Sequence, residues 1–204
     1  MSEIIQGVEQ IAVLGAGTMG RGIAHVAALA GYTTTLYDGN EAQLATAERS
    51  IHRHLDKGVE LGKVDAGAAA GAKERLALEN ELAAAVSGAD LVIEAAPESM
   101  ETKVELFRAV SLHCAESAFF ATNTSALSVT EMAAATGRPE RFAGMHFFNP
   151  VHLMRLLELV QRLLVATHLV FFARPLVLEV HLVVEDGVLE HLVVHELGQL
   201  HPRQ

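Results

Sequence analysis

Short apolar runs alternate with longer amphipathic segments along the first 150 residues of the chain. The runs at 11–14 and 90–95 are short and mostly apolar, which is typical of strands buried on both faces. The longer segments at 41–61 and 100–114 repeat apolar residues at helical spacing. This alternation predicts an α/β fold with a doubly wound, mostly parallel sheet.

The remaining predicted elements continue the same alternation. Further strands are predicted at 33–37, 75–78, 118–121 and 141–147. Further helices are predicted at 19–30, 81–86 and 129–135. The stretch 64–73 is rich in Ala and Gly and favours a loop or a weak helix. If Asn149-Pro150 begins a reversal, 156–160 pairs antiparallel with 143–147 and forms an edge hairpin.

The composition changes after Gln161. No Lys occurs after Lys103, and five of the eleven His lie at positions 168, 181, 191, 195 and 201. One interpretation is a β-rich extension, with strands at 176–184 and 188–195 around a turn. The other is a poorly ordered tail that selection on the first part did not shape. We therefore predict a domain at 1–160 and an atypical C-terminal tail at 161–204.

A glycine-rich turn joins the first strand to the first helix. Gly15, Gly17 and Gly20 stand at G-x-G-x-x-G spacing, with Ala16, Thr18 and Met19 between them. The first glycine permits a tight turn, the second lets a pyrophosphate approach the backbone, and the third lets the helix pack closely on the strand. Backbone N–H groups and the helix dipole then face the phosphates. The motif predicts a dinucleotide site.

Asp38 ends the second strand and lies about twenty residues beyond the glycines, where an acid accepts a hydrogen bond from a ribose 2′-hydroxyl. A carboxylate at this position repels a 2′-phosphate. The expected cofactor is therefore NAD rather than NADP.

His146 lies at the end of a predicted strand, and Glu158 follows twelve residues later. In the predicted hairpin the two residues are cross-strand neighbours. A carboxylate beside an imidazole orients the ring and stabilises its protonated form, which suits a general base. Ser125 lies on a neighbouring loop and can hydrogen-bond the reacting oxygen. A structural His–Glu pair is the alternative.

Charge and composition exclude several classes of protein. The net charge of −10 and the lack of a basic stripe argue against a nucleic-acid partner. The lone Cys114 excludes an internal disulfide and suits a reducing, cytoplasmic location, where it is expected to be a buried apolar residue. No signal peptide and no uncharged apolar run of membrane-spanning length is expected.

Four motifs occur in order along the chain: GAGTMG at 15–20, VIEAAPE at 92–98, TNTS at 122–125 and HFFNP at 146–150. Together they closely resemble the NAD-binding domain of the 3-hydroxyacyl-CoA dehydrogenases, including bacterial 3-hydroxybutyryl-CoA dehydrogenases, over about residues 8–160. The resemblance implies a Rossmann-like fold and NAD-dependent oxidation of L-3-hydroxyacyl-CoA to 3-oxoacyl-CoA. The implied partner is an acyl-CoA substrate.

The resemblance also implies roles for individual residues. His146 matches the family's catalytic histidine and Glu158 its partner carboxylate. Ser125 and Asn149 match residues near the nicotinamide and the reacting oxygen, and Glu98 and Lys103 match cofactor contacts. Ser125 is therefore also a substrate contact, whereas the family's acyl-CoA contacts near the second helix match only loosely, to the region of His54, Lys57 and Lys63. For those last three, a solvated basic helix face is the alternative.

The resemblance stops before the end of the chain. The family continues with a Gly-Lys-x-Pro strand, a Gly-Phe-x-x-Asn-Arg motif and an all-helical domain, and 161–204 resemble none of these. A truncated or frameshifted gene is one hypothesis and a true extension is the other. The alternative function is a catalytically inactive NAD-binding or oligomerisation module. We expect NADH binding with little or no turnover by this chain, and self-association into a homo-oligomer.

The tail also contains His191 and His195, which a helix would place on one face as a pair of zinc ligands. Gln199 stands where the H-E-x-x-H motif requires its second His. No metal is therefore expected.

Overall fold

The sheet of the computed structural model is organised around a central strand, β1 (Gln10–Leu14). The structure describes residues 7–154, 156–161, 177–185 and 188–197. The strands that follow β1 are β2 (Thr33–Tyr37), β3 (Leu76–Glu79), β4 (Leu91–Glu94), β5 (Phe119–Thr122), β6 (Phe142–Phe147), β7 (Leu157–Gln161), β8 (Val177–Glu185) and β9 (Val188–Leu197).

The strand order is β3-β2-β1-β4-β5-β6-β7-β9-β8. The first six strands are parallel, and their order is that of the doubly wound Rossmann sheet. Strand β7 then pairs antiparallel with β6. The predicted fold class and the predicted edge hairpin are confirmed. Because the order reverses at β1, a crevice opens beyond the ends of β1 and β4, where ligands bind in such sheets.

Six α-helices of the described part of the chain cover the two faces of this sheet. They are α1 (Thr18–Ala30), α2 (Glu41–Glu60), α3 (Ala66–Arg75), α4 (Leu82–Val86), α5 (Met100–Ser111) and α6 (Val129–Ala135). Strand β1 shows how the core divides, because successive side chains of a strand point to opposite faces. Ile11 and Val13 pack with α1, α2 and α3, whereas Ala12 and Leu14 pack with α4, α5 and α6. Both faces of β1 are therefore buried, as its apolar run predicts.

Helix α3 forms where the sequence favours a loop or a weak helix. Its N-terminus is capped by Asp65, whose Oδ1 accepts a hydrogen bond from the Ala68 N–H at 2.9 Å. Ala69 and Ala72 are buried in the core, so small side chains let the helix pack closely. At its C-terminal end, Arg75 Nε donates to the Ala28 carbonyl of α1 at 3.0 Å. The cap and these contacts stabilise a helix that has a weak apolar pattern of its own.

The tail contributes two described strands close to the predicted positions. Strands β8 and β9 pair antiparallel, and β9 also pairs antiparallel with β7. His191 and His195 lie in β9 rather than in a helix, so their Cα atoms are about 13 Å apart along an extended strand. The boundary predicted at residue 160 stays a prediction.

Within the described ranges, every helix is too short or too polar to cross a lipid bilayer.

Candidate active site

The loops that follow β1, β2, β4 and β5 meet at one edge of the sheet. Backbone hydrogen bonds continue the strand ladders into these loops. Gly15 N–H donates to the Tyr37 carbonyl at 2.8 Å, and Ala95 N–H donates to the Leu14 carbonyl at 2.8 Å. Asn123 N–H donates to the Glu94 carbonyl, also at 2.8 Å. The predicted site residues on these loops therefore lie at one edge.

The outer glycines of the turn are required by close packing. Gly15 has a φ of +102°, and a Cβ there would lie 2.7 Å from the Ala95 carbonyl oxygen. A Cβ at Gly20 would lie 1.7 Å from the Gly15 carbonyl oxygen. At Gly17, by contrast, an added Cβ would have no neighbour within 4 Å. The first and third glycines thus bring α1 against the sheet, and the second faces open space.

Helix α1 begins without a side-chain cap. Its N-cap residue is Gly17, and its first turn contains no acidic residue. Helices α2, α3, α5 and α6 are instead capped by Asn40, Asp65, Ser99 and Ser128. Uncapped N–H groups at the positive end of a helix dipole bind anions. Exposed Thr18 and half-buried Met19 follow Gly17 in the first turn of this helix.

Asp38 touches the glycine turn directly. Its Oδ2 accepts a hydrogen bond from the Ala16 N–H at 2.9 Å, and its Oδ1 accepts from the Asn40 N–H at 2.9 Å. Each carboxylate oxygen has a further lone pair, so a ribose hydroxyl can still bind. Asp38 therefore fixes the glycine turn relative to the start of α2. This structural role was not predicted from the sequence, whereas the contact with the ribose was.

Lys103 and Glu94 form an ion pair inside the protein. Lys103 Nζ lies 2.6 Å from Glu94 Oε1, and the two side chains are 1% and 0% exposed. Glu94 also accepts hydrogen bonds from the Ala96 N–H at 2.6 Å and from the Thr122 hydroxyl at 2.5 Å. This network satisfies the polar atoms of both ions, as burial of charge requires. Lys103 is thus an interior residue, and the cofactor contact that the family resemblance implies for it stays a prediction.

Glu98 extends this network to the surface. Its Oε2 lies 3.2 Å from Lys103 Nζ, and its side chain is 45% exposed. The other oxygen accepts hydrogen bonds from the Thr124 hydroxyl and from the Ser125 N–H at 3.3 Å. Burial opposes ionisation of Glu98, but the Thr124 hydrogen bond and the Lys103 charge outweigh it and lower the pKa of this carboxyl. An ionised Glu98 therefore holds the loop that carries Ser125.

His146 and Glu158 are paired across β6 and β7, as predicted. His146 Nδ1 lies 2.8 Å from Glu158 Oε2, and the side chains are 22% and 29% exposed. A carboxylate oxygen accepts a hydrogen bond from a protonated Nδ1, and in that tautomer of a neutral imidazole Nε2 has a lone pair that can take a proton. The Phe148 ring packs against the imidazole, with ring centroids 4.4 Å apart. The geometry is that of an imidazole oriented through Nδ1.

Asn123 fixes the end of β6 beside this pair. Its side-chain oxygen accepts a hydrogen bond from the Phe147 N–H at 2.8 Å. Asn149 is exposed two residues further along. Sequence reasoning assigned no role to Asn123, Thr124 or Glu94. The available signal was Glu94, an acidic residue within an otherwise apolar strand.

The three predicted substrate contacts of the α2 region do not share one environment. His54 and Lys57 line a surface cavity of about 540 Å³ formed by residues of α2 alone. Lys57 is exposed and pairs with Glu60 at 2.8 Å. Lys63 lies beyond the end of α2 and is exposed. His54 also contacts the rings of His25 and His152.

Cys114 is partly buried, and burial raises the pKa of its thiol to about 11. A thiol with so high a pKa is unreactive at neutral pH. The predicted role as a small apolar residue fits this environment.

Comparisons with known proteins identify the family of the chain. The family model for the NAD binding domain of 3-hydroxyacyl-CoA dehydrogenase matches residues 10–181. The chain is 42% identical over 163 residues to the 3-hydroxyadipyl-CoA dehydrogenase of Escherichia coli K12, covering 80% of this chain and 34% of that protein. It is 41% identical over 160 residues to the mitochondrial hydroxyacyl-coenzyme A dehydrogenase of Sus scrofa, covering 76% of this chain and 51% of that protein.

Among solved structures, that of 3-hydroxybutyryl-CoA dehydrogenase from Escherichia coli K12 matches with a TM-score of 0.74 and 43% identity. The match covers 76% of this chain and 33% of the solved chain. The chain thus spans about a third to a half of the length of these proteins. It belongs to the family of NAD-binding domains of the 3-hydroxyacyl-CoA dehydrogenases, oxidoreductases whose cofactor is NAD.

Proposed function

We propose that the chain takes part in the NAD-dependent oxidation of L-3-hydroxyacyl-CoA to 3-oxoacyl-CoA. The observation that carries the proposal is the 2.8 Å pair of His146 and Glu158. The pair lies on β6 and β7 of the sheet that also contains β1. Strand β1 leads into the uncapped N-terminus of α1, which fits the cofactor diphosphate. The names of the relatives agree with this substrate class.

The proposed chemistry removes one hydride and one proton from the substrate. NAD, when bound, supplies the hydride acceptor. His146 Nε2 accepts the proton of the C3 hydroxyl as the C3–H bond breaks and the carbonyl forms. Glu158 holds the ring through Nδ1 and stabilises the imidazolium that results. In the reverse direction His146 returns the proton to the oxygen.

Other residues orient the reacting groups in this proposal. The Ser125 hydroxyl donates a hydrogen bond to the oxygen on C3, and exposed Asn149 contacts the nicotinamide side of the cleft. Glu98 contacts the cofactor through its exposed part and holds the Ser125 loop through its hydrogen bonds. Lys103 acts through Glu98 and Glu94, because its own ammonium group is buried.

The cofactor is bound in two places. The free N–H groups at the start of α1 bind the diphosphate, with Gly17 allowing close approach. Asp38 accepts a hydrogen bond from a hydroxyl of the adenosine ribose while it also holds Ala16. A 2′-phosphate would be repelled by this carboxylate.

The substrate is an acyl-CoA thioester in the proposal. Lys57 is an exposed cation that lines the α2 cavity, and Lys63 is an exposed cation beyond the end of α2. Both suit the anionic tail of CoA. Because Lys57 is already paired with Glu60 and is exposed, its contribution is small. The contact with His54 competes with the packing of its ring on His152.

The test is NADH oxidation by the full chain in the presence of acetoacetyl-CoA, with protein in the micromolar range and NADH binding titrated in parallel. We expect NADH binding and an oxidation rate above the rate without acetoacetyl-CoA. NADH binding without any acetoacetyl-CoA-dependent oxidation would contradict the proposal and support the binding-module alternative. A rate in the usual enzyme range of about 1–10³ s⁻¹ would overturn the sequence-based expectation of little turnover.

A further inference from the structure

Three histidine rings from three separate segments stack on one another. His25 lies on α1, His54 lies on α2, and His152 lies in the turn after β6. The His54 and His152 ring centroids are 4.4 Å apart, and those of His25 and His152 are 5.5 Å apart. One nitrogen of each ring lies within 4.8 Å of the corresponding nitrogens of the other two. Residues distant in sequence thus bring three possible ligand atoms together.

The interior member of the cluster has an unsatisfied polar atom. His25 is 3% exposed, and its Nδ1 is buried without a hydrogen-bond partner among the described residues. An unpaired buried polar atom costs free energy, so native proteins usually give it a partner or a function. The atom requires an acceptor, a donor or a metal ion.

The cluster is held firmly against α1. The turn after β6 closes through hydrogen bonds from the Leu153 and Met154 N–H groups to the Pro150 carbonyl, both at 2.9 Å. Val151 is buried and packs so close to α1 that a Cβ at Gly22 would lie 2.9 Å from its own Cβ. His152 is therefore positioned over the helix that carries His25.

All three imidazoles are biased toward the neutral form. Burial, then the neighbouring His152 and His54, lowers the pKa of His25 to about 4. The pKa of His54 is lowered by burial and by the charges of Arg53 and Arg21, and that of His152 by burial and by His54. Neutral imidazole is the form that ligates metals. The charges of Arg53 and Arg21 disfavour a cation at this cluster. A metal ion offsets this repulsion by accepting one nitrogen lone pair from each of the three histidines.

We propose that His25, His54 and His152 form a binding site for a divalent transition-metal ion of the zinc class. Imidazole nitrogen is a preferred ligand of such ions. The dehydrogenase chemistry proposed above uses His146 and requires no metal, whereas this site shares His54 with the proposed acyl-CoA contacts. Its residues form no local sequence motif, and it was not foreseen by the sequence analysis.

Metal binding requires rings to turn out of the stack, because the His25 and His152 planes lie within 10° of parallel and the lone pair of an imidazole nitrogen lies in its ring plane. Tetrahedral zinc with bonds of about 2.0–2.1 Å places ligand nitrogens about 3.3 Å apart, closer than the 4.8 Å limit observed here. His54 and His152 are only partly buried, so their rings can turn toward the buried His25. Three protein ligands leave a fourth position for water or another ligand. The bound ion would cross-link α1, α2 and the turn after β6.

The experiment is a zinc titration of the purified full chain against a chromophoric competitor, with Co²⁺ absorption as a second readout. The variants are His54→Ala and His152→Ala, chosen because both positions are partly exposed. The control variants are His113→Ala, at an exposed position, and the tail double variant His191→Ala/His195→Ala. The thermal melting of each variant without metal shows that it is folded.

We expect one zinc ion per chain and a rise in melting temperature with zinc in the wild type. Each cluster variant should bind more than about 100-fold more weakly, because even residues that only support a ligand change affinity about 10–100-fold. Both controls should stay within a few-fold of the wild type. The proposal is overturned if the wild type does not bind zinc saturably, if the cluster variants bind as tightly as the wild type, or if the tail variant loses the site.

Discussion

The Glu94–Lys103 ion pair and the hydrogen-bonded His146–Glu158 pair differ in how far they are buried. Glu94 and Lys103 join β4 to α5 at 2.6 Å, with both side chains at most 1% exposed. His146 and Glu158 join β6 to β7 at 2.8 Å, with 22% and 29% exposed. The distances are similar, and the environments differ.

The difference in burial suggests different roles for the two pairs. Removing one partner of a buried ion pair is strongly destabilising, so the Glu94–Lys103 pair is expected to hold β4 and α5 together. A half-exposed imidazole can exchange a proton with a substrate and with solvent during a reaction. The first pair is therefore expected to support the loops at the edge of the sheet, and the second is proposed to carry out the acid–base chemistry.

The largest effect on stability is expected for the buried pair. Lys103→Met removes the ammonium group and leaves Glu94 buried without its counterion, so the free energy of unfolding should fall by about 3–5 kcal/mol. Denaturant unfolding measures the change. Lys57→Met breaks an exposed pair and is the control, with an expected loss of about 0–1 kcal/mol.

A double variant separates the effect of the unpaired charge from that of packing. Glu94→Gln combined with Lys103→Met removes both charges, so it should be more stable than Lys103→Met alone. A double variant as unstable as the single one would mean that packing, rather than the unpaired charge, causes the loss.

A buried histidine extends the comparison to pH. The pKa of His25 is lowered to about 4 in the folded protein, from 6.5, mainly by burial. The unfolded chain therefore binds more protons between these values, and stability should fall by about 3 kcal/mol as the pH drops from 6.5 to 4. His25→Leu should show a shallower slope in denaturant unfolding with a chelator present. An unchanged slope would mean that other groups dominate acid unfolding.

A smaller effect is expected where a charge meets the cofactor. Asp38→Ala should weaken NADH binding by about 1.5–3 kcal/mol, since a hydrogen bond to a charged group is lost. Because Asp38 also holds the Ala16 N–H, part of the loss should come from a looser glycine turn. Titration of NADH and NADPH with wild type and variant measures the preference. NADPH bound as tightly as NADH by the wild type would contradict the role of Asp38.

The hairpin and the glycine turn could be predicted because their signals are local. Strand alternation fixes which residues face each other, so the reversal at Asn149-Pro150 was enough to pair His146 with Glu158. The glycine spacing likewise describes a turn within a few residues. Predicted strand and helix ends differ from the observed ones by a few residues, because caps and core contacts set the ends.

The interior of the site could not be predicted from spacing. Lys is rarely fully buried, so the pattern gave no reason to place Lys103 inside the protein. Its burial depends on how α5 packs against β4, which the sequence does not encode locally. The histidine cluster was missed for a similar reason, because residues 25, 54 and 152 meet only in the folded chain. For helix α3 the sequence left a loop and a weak helix open, because its buried residues are Ala69 and Ala72, which give a weak apolar signal.

His146 is proposed as the base of the partly buried His146–Glu158 pair, and the variant His146→Ala tests this role. The rate of acetoacetyl-CoA-dependent NADH oxidation is measured for the wild type, for His146→Ala and for the exposed control His113→Ala, with NADH affinity determined for each. We expect the oxidation rate of His146→Ala to be about 10²–10⁴-fold lower than that of the wild type, with unchanged NADH affinity. The control His113→Ala should match the wild type. A His146→Ala rate within a few-fold of the wild type would show that the pair is structural.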